Sequence, residues 1–261
     1  MADYLIENKG FSIKCENYSN DNNNSYESEA IENVRLHVSN TSPLFYLEDL
    51  DEIYPNSTAF IFLSRHSSES RTPTLTCHFT GNYSDHSYYG GNPRQLGISY
   101  PYFQKQYMKE ISNVRTLISD YDIVIEATHH GPTSLRKPVT FIEIGSTERQ
   151  WVDRYVASIV CDCILSVMTN GTGRCKKVGI GLGGTHYPVK FNRLLLESEF
   201  GLGAVAAKRD LMSINEDMIN QMISKSIERV THIVIDRKGL GKEKKRIMDL
   251  IKNKSFDILE I

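Results

Sequence analysis

The chain has few cysteines for its length and no long apolar run. Five cysteines stand among 261 residues, and an odd number in a chain of this size argues against a disulfide framework. No apolar stretch approaches the ~20 residues of a membrane-spanning helix, and the segment Met1-Ala2-Asp3-Tyr4 lacks the features of a secretion signal. We therefore expect a cytoplasmic protein that works without a membrane.

An excess of charge of either sign is also absent. The formal net charge is −2, with 40% apolar and 24% charged residues, as in an ordinary globular protein. A nucleic-acid partner would therefore need a local basic patch. No internal repeat or linker is visible, and residues 17–28, rich in Asn, Ser and Asp, are predicted to form a surface loop. We expect one domain over residues 1–261, and a monomer.

Short apolar runs alternate with helical patterns along the rest of the chain. The predicted strands are residues 59–63, 123–125, 139–144, 178–182, 203–206 and 232–235. The predicted helices cover about 104–119, a long segment capped by Thr147 and Gln150, a segment capped by Ser213 and Glu216, and about 242–252. Cys161 and Cys163 lie in the second of these helices and are predicted to be small buried side chains. The alternation predicts an α/β fold with three α/β/α layers and a mostly parallel, mixed central sheet.

Three histidine-bearing segments directly follow predicted strands. They are residues 64–66, 128–130 and 183–186. Ligands of open α/β sheets bind outside the carboxyl ends of the strands. We therefore expect the three segments to meet at one edge of the sheet.

The first segment continues through residues 64–70 and 77–82. Arg65 and the hydroxyls of Ser67 and Ser68 are suited to hold a phosphate or a ribose, and His66 or His78 is a candidate base or metal ligand. The alternative is a hydroxyl-rich turn that only caps local structure.

The second segment carries the adjacent pair His129 and His130, followed by Gly131, Pro132 and Thr133. Neighbouring histidines on a turn can both face a cleft, where neutral imidazole serves as a metal ligand or a general base. The alternative is a pair that only donates to backbone carbonyls.

The third segment is a glycine-rich turn with Gly183, Gly184, His186 and Tyr187. Backbone N–H groups of such a turn can bind an anion or a developing oxyanion, and a helix that starts after Pro188 would add positive potential. The alternative is a turn whose glycines serve packing alone. No Gly-Lys-Ser/Thr closes it, so it is not a Walker A loop.

Two further features complete the candidate set. Glu143 lies on a predicted buried strand, where it orients a histidine, binds an amino group or forms a plain salt bridge. Residues 237–246 are strongly basic and include Lys238 and Lys242. Such a run suits a nucleic-acid backbone, although charge runs are usually solvated surface.

Together, residues 64–70, 77–82, 128–133 and 183–187 resemble the archaeal and plant type of D-aminoacyl-tRNA deacylase. The resemblance runs in order along essentially the whole chain. It implies a phosphorylase-like or peptidyl-tRNA-hydrolase-like α/β fold, bound zinc, and hydrolysis of the ester between a D-amino acid and the acceptor end of tRNA, which protects translation.

Ester hydrolysis gives each candidate residue an expected role. His129, His130 and His186 are expected to carry the water or the zinc, with Glu143 beside them and the N–H groups of Gly183 and Gly184 as oxyanion donors. The residues expected to contact substrate or tRNA are Arg65, His66, Ser67, Ser68, His78, Gly131, Thr133, Gly183, Gly184, Tyr187, Lys238 and Lys242.

Three other functions fit the same residues. A zinc hydrolase of a small ester or amide, such as a peptidase-like enzyme, would use the same histidines but not the basic run. A non-catalytic tRNA-binding protein would keep the sheet without turnover. In a nucleoside phosphorylase-like transferase, the glycine turn would hold phosphate.

Overall fold

Strands and helices alternate along the chain in a computed structural model that describes residues 1–18, 23–39, 44–171 and 173–261. The strands are β1 (Phe11–Tyr18), β2 (Asn23–Ser28), β3 (Arg35–Val38), β4 (Phe60–Ser67), β5 (Thr74–His78), β6 (Gly81–Asn82), β7 (Gln95–Leu96), β8 (Asp122–Ile125), β9 (Val139–Ser146), β10 (Lys177–Leu182), β11 (Phe200–Ala206), β12 (His232–Ile235) and β13 (Asp257–Glu260). The helices are α1 (Ala2–Asn8), α2 (Leu50–Ile53), α3 (Pro101–Asn113), α4 (Glu148–Trp151), α5 (Arg154–Thr169), α6 (Val189–Glu197), α7 (Glu216–Ser224) and α8 (Lys244–Ile251). Short 3₁₀ turns lie at Leu44–Tyr46, Arg115–Leu117, Leu211–Ser213 and Gly241–Glu243.

Two four-stranded sheets form the centre of the fold. One has the order β11-β10-β12-β13 and is parallel throughout. The other has the order β4-β9-β5-β8, in which β9 and β5 run antiparallel and the two outer pairs run parallel. The predicted α/β class with a mostly parallel, mixed sheet is confirmed. The strands are divided between two sheets. The mixed sheet contains β5, which was not predicted from the sequence and which pairs with both β9 and β8.

Helices cover both faces of the parallel sheet. Ile180 and Leu182 of β10 pack in one cluster with the buried residues of α7 and α8. Val205 of β11 and Val234 of β12 pack in another, with α3, α5 and α6. The three α/β/α layers are therefore confirmed. Across the part of the chain that the structure describes, none of the helices has the length and apolar character needed to span a bilayer.

The long predicted helix after residue 147 is broken into two. Thr147 and Gln150 form the predicted capping box at the start of α4. The chain then leaves the helix, and Asp153 caps a new one, α5, by accepting a 3.0 Å hydrogen bond from the backbone of Val156. An N-cap residue requires non-helical backbone angles, so α4 and α5 cannot be continuous.

Two other local predictions are wrong. The α7 helix is capped by Asn215, whose side chain accepts from the Met218 N–H at 2.9 Å, and not by Ser213. Residues 17–28, predicted as a surface loop, belong largely to β1 and β2 of an antiparallel three-stranded sheet. Residues 19–22 of that segment lie outside the described residues.

The cysteines behave as small apolar side chains. Cys161 and Cys163 are buried on α5, and burial raises the pKa of each thiol to about 12. Both are free, as are Cys77 and Cys175. The prediction that Cys161 and Cys163 are buried packing residues is confirmed.

The loop after β8 is fixed between the two large sheets. The Thr128 N–H donates to the carbonyl of Val205 on β11 at 2.9 Å, and the Thr128 hydroxyl accepts from the Val205 N–H at 3.0 Å. The Ala127 N–H donates to the carbonyl of His186 at 2.8 Å. These bonds hold the chain after β8 against the turn after β10, and so bring two of the predicted histidine segments together.

Candidate active site

Histidine and glutamate side chains from five strands or the turns that follow them meet at the junction of the sheets. They are His66 (β4), His78 (β5), Glu126, His129 and His130 (after β8), Glu143 (β9) and His186 (after β10). The ring centroids of His129 and His186 lie 4.7 Å apart, and those of His78 and His129 lie 4.1 Å apart. The structure thus places all three predicted histidine segments at one site.

Glu126 lies at the centre of this cluster, with a side chain that is 0% exposed. Its Oε2 atom is 2.7 Å from Nε2 of His186 and 3.6 Å from Nε2 of His129, and its Oε1 atom is 3.3 Å from Nδ1 of His66. Burial opposes ionisation of this carboxyl. The hydrogen bond with His186 and the nearby histidines nevertheless hold the pKa of Glu126 well below its usual range.

Glu126 was not among the site residues predicted from the sequence. A signal was present, because this carboxylate directly follows the predicted strand 123–125 and stands three residues before His129. The reasoning that selected Glu143, a carboxylate that is costly to bury without partners, applies equally to Glu126.

Three of the histidines are held in one orientation by the backbone. His78, His129 and His130 each bring Nδ1 to a carbonyl oxygen within two residues of their own position, at 3.1, 2.8 and 2.6 Å. A carbonyl oxygen only accepts, so each Nδ1 carries the proton and each Nε2 keeps a free lone pair. Metal-binding histidines in proteins are typically fixed by such a bond from the other ring nitrogen.

The same three histidines suit a zinc ion. Each has a candidate ligand atom within 4.8 Å of the other two. Nε2 of His78 is buried and has no hydrogen-bond partner among the described residues. Burial, together with the neighbouring histidines, lowers the pKa of His129 well below its usual range and that of His130 to about 3. Neutral imidazole is the form that binds zinc, so the donor set fits this metal.

His66 forms a second hydrogen-bonded unit with Glu143 and Tyr187. Its Nδ1 lies 3.2 Å from Oε2 of Glu143, and its Nε2 lies 2.6 Å from the hydroxyl of Tyr187. Burial alone would lower the pKa of His66. The hydrogen bond with Glu143 and the charges of Glu126 and Glu143 outweigh burial, so the pKa of His66 is raised. Of the alternatives for Glu143, the structure shows the one in which it orients a histidine.

His186 has the opposite proton arrangement from the three backbone-bound histidines. A guanidinium nitrogen of Arg209 lies 3.2 Å from its Nδ1. Because guanidinium only donates, Nδ1 of His186 accepts and Nε2 carries the proton toward Glu126. The structure therefore brings His78 together with His129 and His130, and it brings His186 together with His129 and Glu126 in a second group whose ligand atoms also lie within 4.8 Å of one another.

Some predicted residues of the first segment lie away from the cluster. Arg65 alternates with His66 along β4 and so points to the other face, where its guanidinium lies 5.4 Å from the ring centroid of Trp151. Ser67 is exposed on that same side. Ser68 remains close to the site, because its side chain lies near the hydroxyl of Tyr187.

Other predicted residues serve the scaffold of the site. The Thr133 hydroxyl accepts from the Asn92 N–H at 2.7 Å, and Gly131 packs where a side chain would meet the backbone of Gly90 and Gly91. The Gly183 N–H donates to the carbonyl of Ala206 at 2.9 Å. The prediction that the Gly183 N–H is an oxyanion donor is therefore wrong, because this group is already bonded within the fold.

The two predicted basic residues, Lys238 and Lys242, differ in their position relative to the site. Lys242 lines a cavity beside Gly184 and His186. Lys238 is exposed and does not line this cavity.

Comparison with known proteins gives one consistent family. The sequence profile of the D-aminoacyl-tRNA deacylase family matches residues 53–259. A D-aminoacyl-tRNA deacylase of Cenarchaeum symbiosum is 38% identical over 200 residues, which span 77% of this chain and 76% of the relative. One of Methanococcus maripaludis is 35% identical over 230 residues, which span 83% of this chain and 89% of the relative. The crystal structure of a conserved protein of unknown function superposes with a TM-score of 0.88 at 25% identity, covering 99% of this chain and 89% of that one.

Proposed function

The chain belongs to the D-aminoacyl-tRNA deacylase family, and we propose that it hydrolyses the ester between a D-amino acid and the terminal ribose of tRNA. The observation that carries this proposal is the buried Glu126 surrounded by histidines whose pKa values are shifted in opposite directions, raised for His66 and lowered for His129. Ester hydrolysis needs both a neutral base or metal ligand and a proton donor. The family match gives no support to the alternative of a hydrolase of small esters or amides.

The three histidines that the backbone orients bind the metal and so serve to activate the attacking water. We propose that His78, His129 and His130 hold a zinc ion through Nε2. When bound, zinc polarises an ester carbonyl and lowers the pKa of water. The three Nδ1–H bonds to carbonyl oxygens fix the rings before the metal arrives, which reduces the entropy lost on binding.

The His66 unit supplies the proton for the leaving ribose oxygen. In its protonated form, which the raised pKa favours, His66 donates from Nδ1 to Glu143 and from Nε2 to the Tyr187 oxygen. The Tyr187 O–H is then free to donate outward. Tyr187 protonates the departing oxygen and recovers a proton from His66, which becomes neutral and is reprotonated from solvent before the next turnover.

Glu126 and His186 hold the two halves of the site together. The Glu126 carboxylate contacts histidines of both sheets, and its negative charge stabilises the positive charge on protonated His66. Arg209 and Glu126 bind opposite nitrogens of His186, so this ring is fixed at the mouth of the site.

The oligomeric state, the compartment and the substrate belong to the same proposal. We propose that the protein acts as a monomer in the cytoplasm on the acceptor end of D-aminoacyl-tRNA, where it protects translation from D-amino acids.

Release of amino acid from D-tyrosyl-tRNA and L-tyrosyl-tRNA by the purified protein tests the function. The expected result is fast release from the D ester alone, with loss of activity in the presence of a chelator that zinc restores. Release from neither ester would overturn the proposal, and equal release from both would show a general esterase.

A further inference from the structure

A cavity of about 450 Å³ opens beside His186. Its walls are the turn after β10, the chain that follows β11, and the 3₁₀ turn Gly241–Glu243. We call it the nucleotide pocket and define it by Gly184, His186, Lys208, Arg209, Met212 and Lys242. Its volume lies in the range of small-molecule binding sites. His186 lines this pocket and also contacts Glu126, so the pocket lies next to the reaction site.

The rim of the pocket carries cations without partners. Lys208 and Lys242 are exposed and form no ion pair within the described ranges of the chain. The nearby carboxylate of Glu243 is already bound by Arg246, at 2.7 Å. The pocket therefore presents a net positive field that attracts an anionic group such as a phosphate.

The interior of the pocket is apolar. Ala207 is 1% exposed and Leu240 is 0% exposed, and both line the wall. Met212 also lines it and is 68% exposed. An exposed methionine beside buried apolar groups gives a flexible, polarisable surface for a flat ring. An apolar wall with a cationic rim matches a nucleotide, whose base is flat and whose phosphate is charged.

We propose that the nucleotide pocket receives the 3′-terminal adenosine of tRNA, with the base against Met212 and its 5′-phosphate between Lys208 and Lys242. This inference rests on the proposed deacylase function, because an adenosine is the alcohol part of every aminoacyl-tRNA ester. The ribose would then lie at His186, at the entrance to the histidine cluster.

The other end of the cluster has a different character. There, His130 packs against the rings of Phe45 and Phe141, with centroids 5.3 and 4.8 Å away. The two ends of the site therefore differ in character, with cationic side chains beyond His186 and aromatic rings beyond His130. An ester that crosses it places its nucleotide at the cationic end and its aminoacyl group at the aromatic end.

Binding of adenosine monophosphate to the full-length protein tests the pocket without any turnover. Calorimetric titration is expected to show AMP binding that is weakened about tenfold by Lys242→Ala, the loss of one charge-assisted contact. Adenosine and inorganic phosphate alone should each bind more weakly than AMP. If phosphate binds as tightly as AMP, the base has no site and the proposal is overturned.

Kinetics with D-aminoacyl-tRNA supply the second readout. Lys242→Ala should raise KM about tenfold and leave kcat within about twofold. The dependence of log KM on log salt should become shallower by about 0.7 to 1, because one phosphate contact is lost. Lys176→Ala is the matched control, since this exposed lysine precedes β10 at the opposite end of the sheet, and it should change none of these values.

The two proposals fail separately. Hydrolysis of D-aminoacyl-tRNA with AMP binding that is absent or insensitive to Lys242→Ala would overturn the pocket and leave the activity. AMP binding that depends on Lys242, in a wild-type protein that hydrolyses neither ester, would overturn the activity and leave a nucleotide site.

Discussion

Nε2 of His66 lies 2.6 Å from the hydroxyl oxygen of Tyr187, although 121 residues separate them in the chain. His66 comes from the mixed sheet and Tyr187 from the turn after the parallel sheet. Their contact exists only because the loop after β8 bonds to both sheets. It links a histidine with a raised pKa to a half-buried hydroxyl at the mouth of the site.

Removal of the Tyr187 hydroxyl should slow the reaction and change its pH dependence. We expect Tyr187→Phe to lower kcat about 100-fold, the usual contribution of a general acid. His66 must be protonated to act, so wild-type kcat should fall as pH rises through the pKa of His66, which lies above 6.5. The variant should lack this alkaline fall. Tyr88→Phe, at a 76% exposed tyrosine, is the control and should keep both kcat and the profile.

Zinc content should depend on the histidines that the backbone orients. Protein purified from zinc-containing medium is expected to carry zinc, and His78→Gln should lose it, because one of three nitrogen donors is removed. His86→Gln, at an exposed histidine outside the cluster, should retain the full content. The measurement is elemental analysis by mass spectrometry, with circular dichroism to verify folding. Full zinc content in folded His78→Gln protein would exclude His78 as a ligand.

Lys105 should contribute strongly to stability. Its buried Nζ donates to the carbonyls of Leu195, Ser198 and Phe200 at 2.8, 2.7 and 2.6 Å, and so closes the end of α6 against β11. Lys105→Met leaves these carbonyls without their donor and should lower the free energy of unfolding by about 2–4 kcal/mol. Urea denaturation measures this, with Lys109→Met on the same helix as the control. Equal stability of the two variants would contradict the role given to Lys105.

The sequence predicted strands best where mainly apolar residues form a buried run. β9 and β11 are buried at every residue, and both were predicted in part, as residues 139–144 and 203–206, from short apolar runs. The segments after the predicted strands do meet, but not at one carboxyl edge, because β4 runs antiparallel to β5 and β8 within the mixed sheet.

The features that could not be predicted from the sequence depend on pairing between strands that are distant in the chain. β5 contains two threonines among its five buried residues, so its composition resembles a polar turn. It is a strand because β9 and β8 flank it on both sides. His78 consequently sits at a strand end inside the cluster, and the role of Glu126 becomes visible only when four histidines surround it.

Hydrolysis of D-tyrosyl-tRNA by Glu126→Gln tests the central claim most directly. This change keeps the size of the side chain and removes the negative charge that His66, His129 and His186 share. We predict that kcat falls by about 100-fold or more while the protein remains folded, and that Glu69→Gln, at an exposed carboxylate after β4, keeps full activity. Activity of folded Glu126→Gln protein within about threefold of wild type would contradict an active site centred on Glu126.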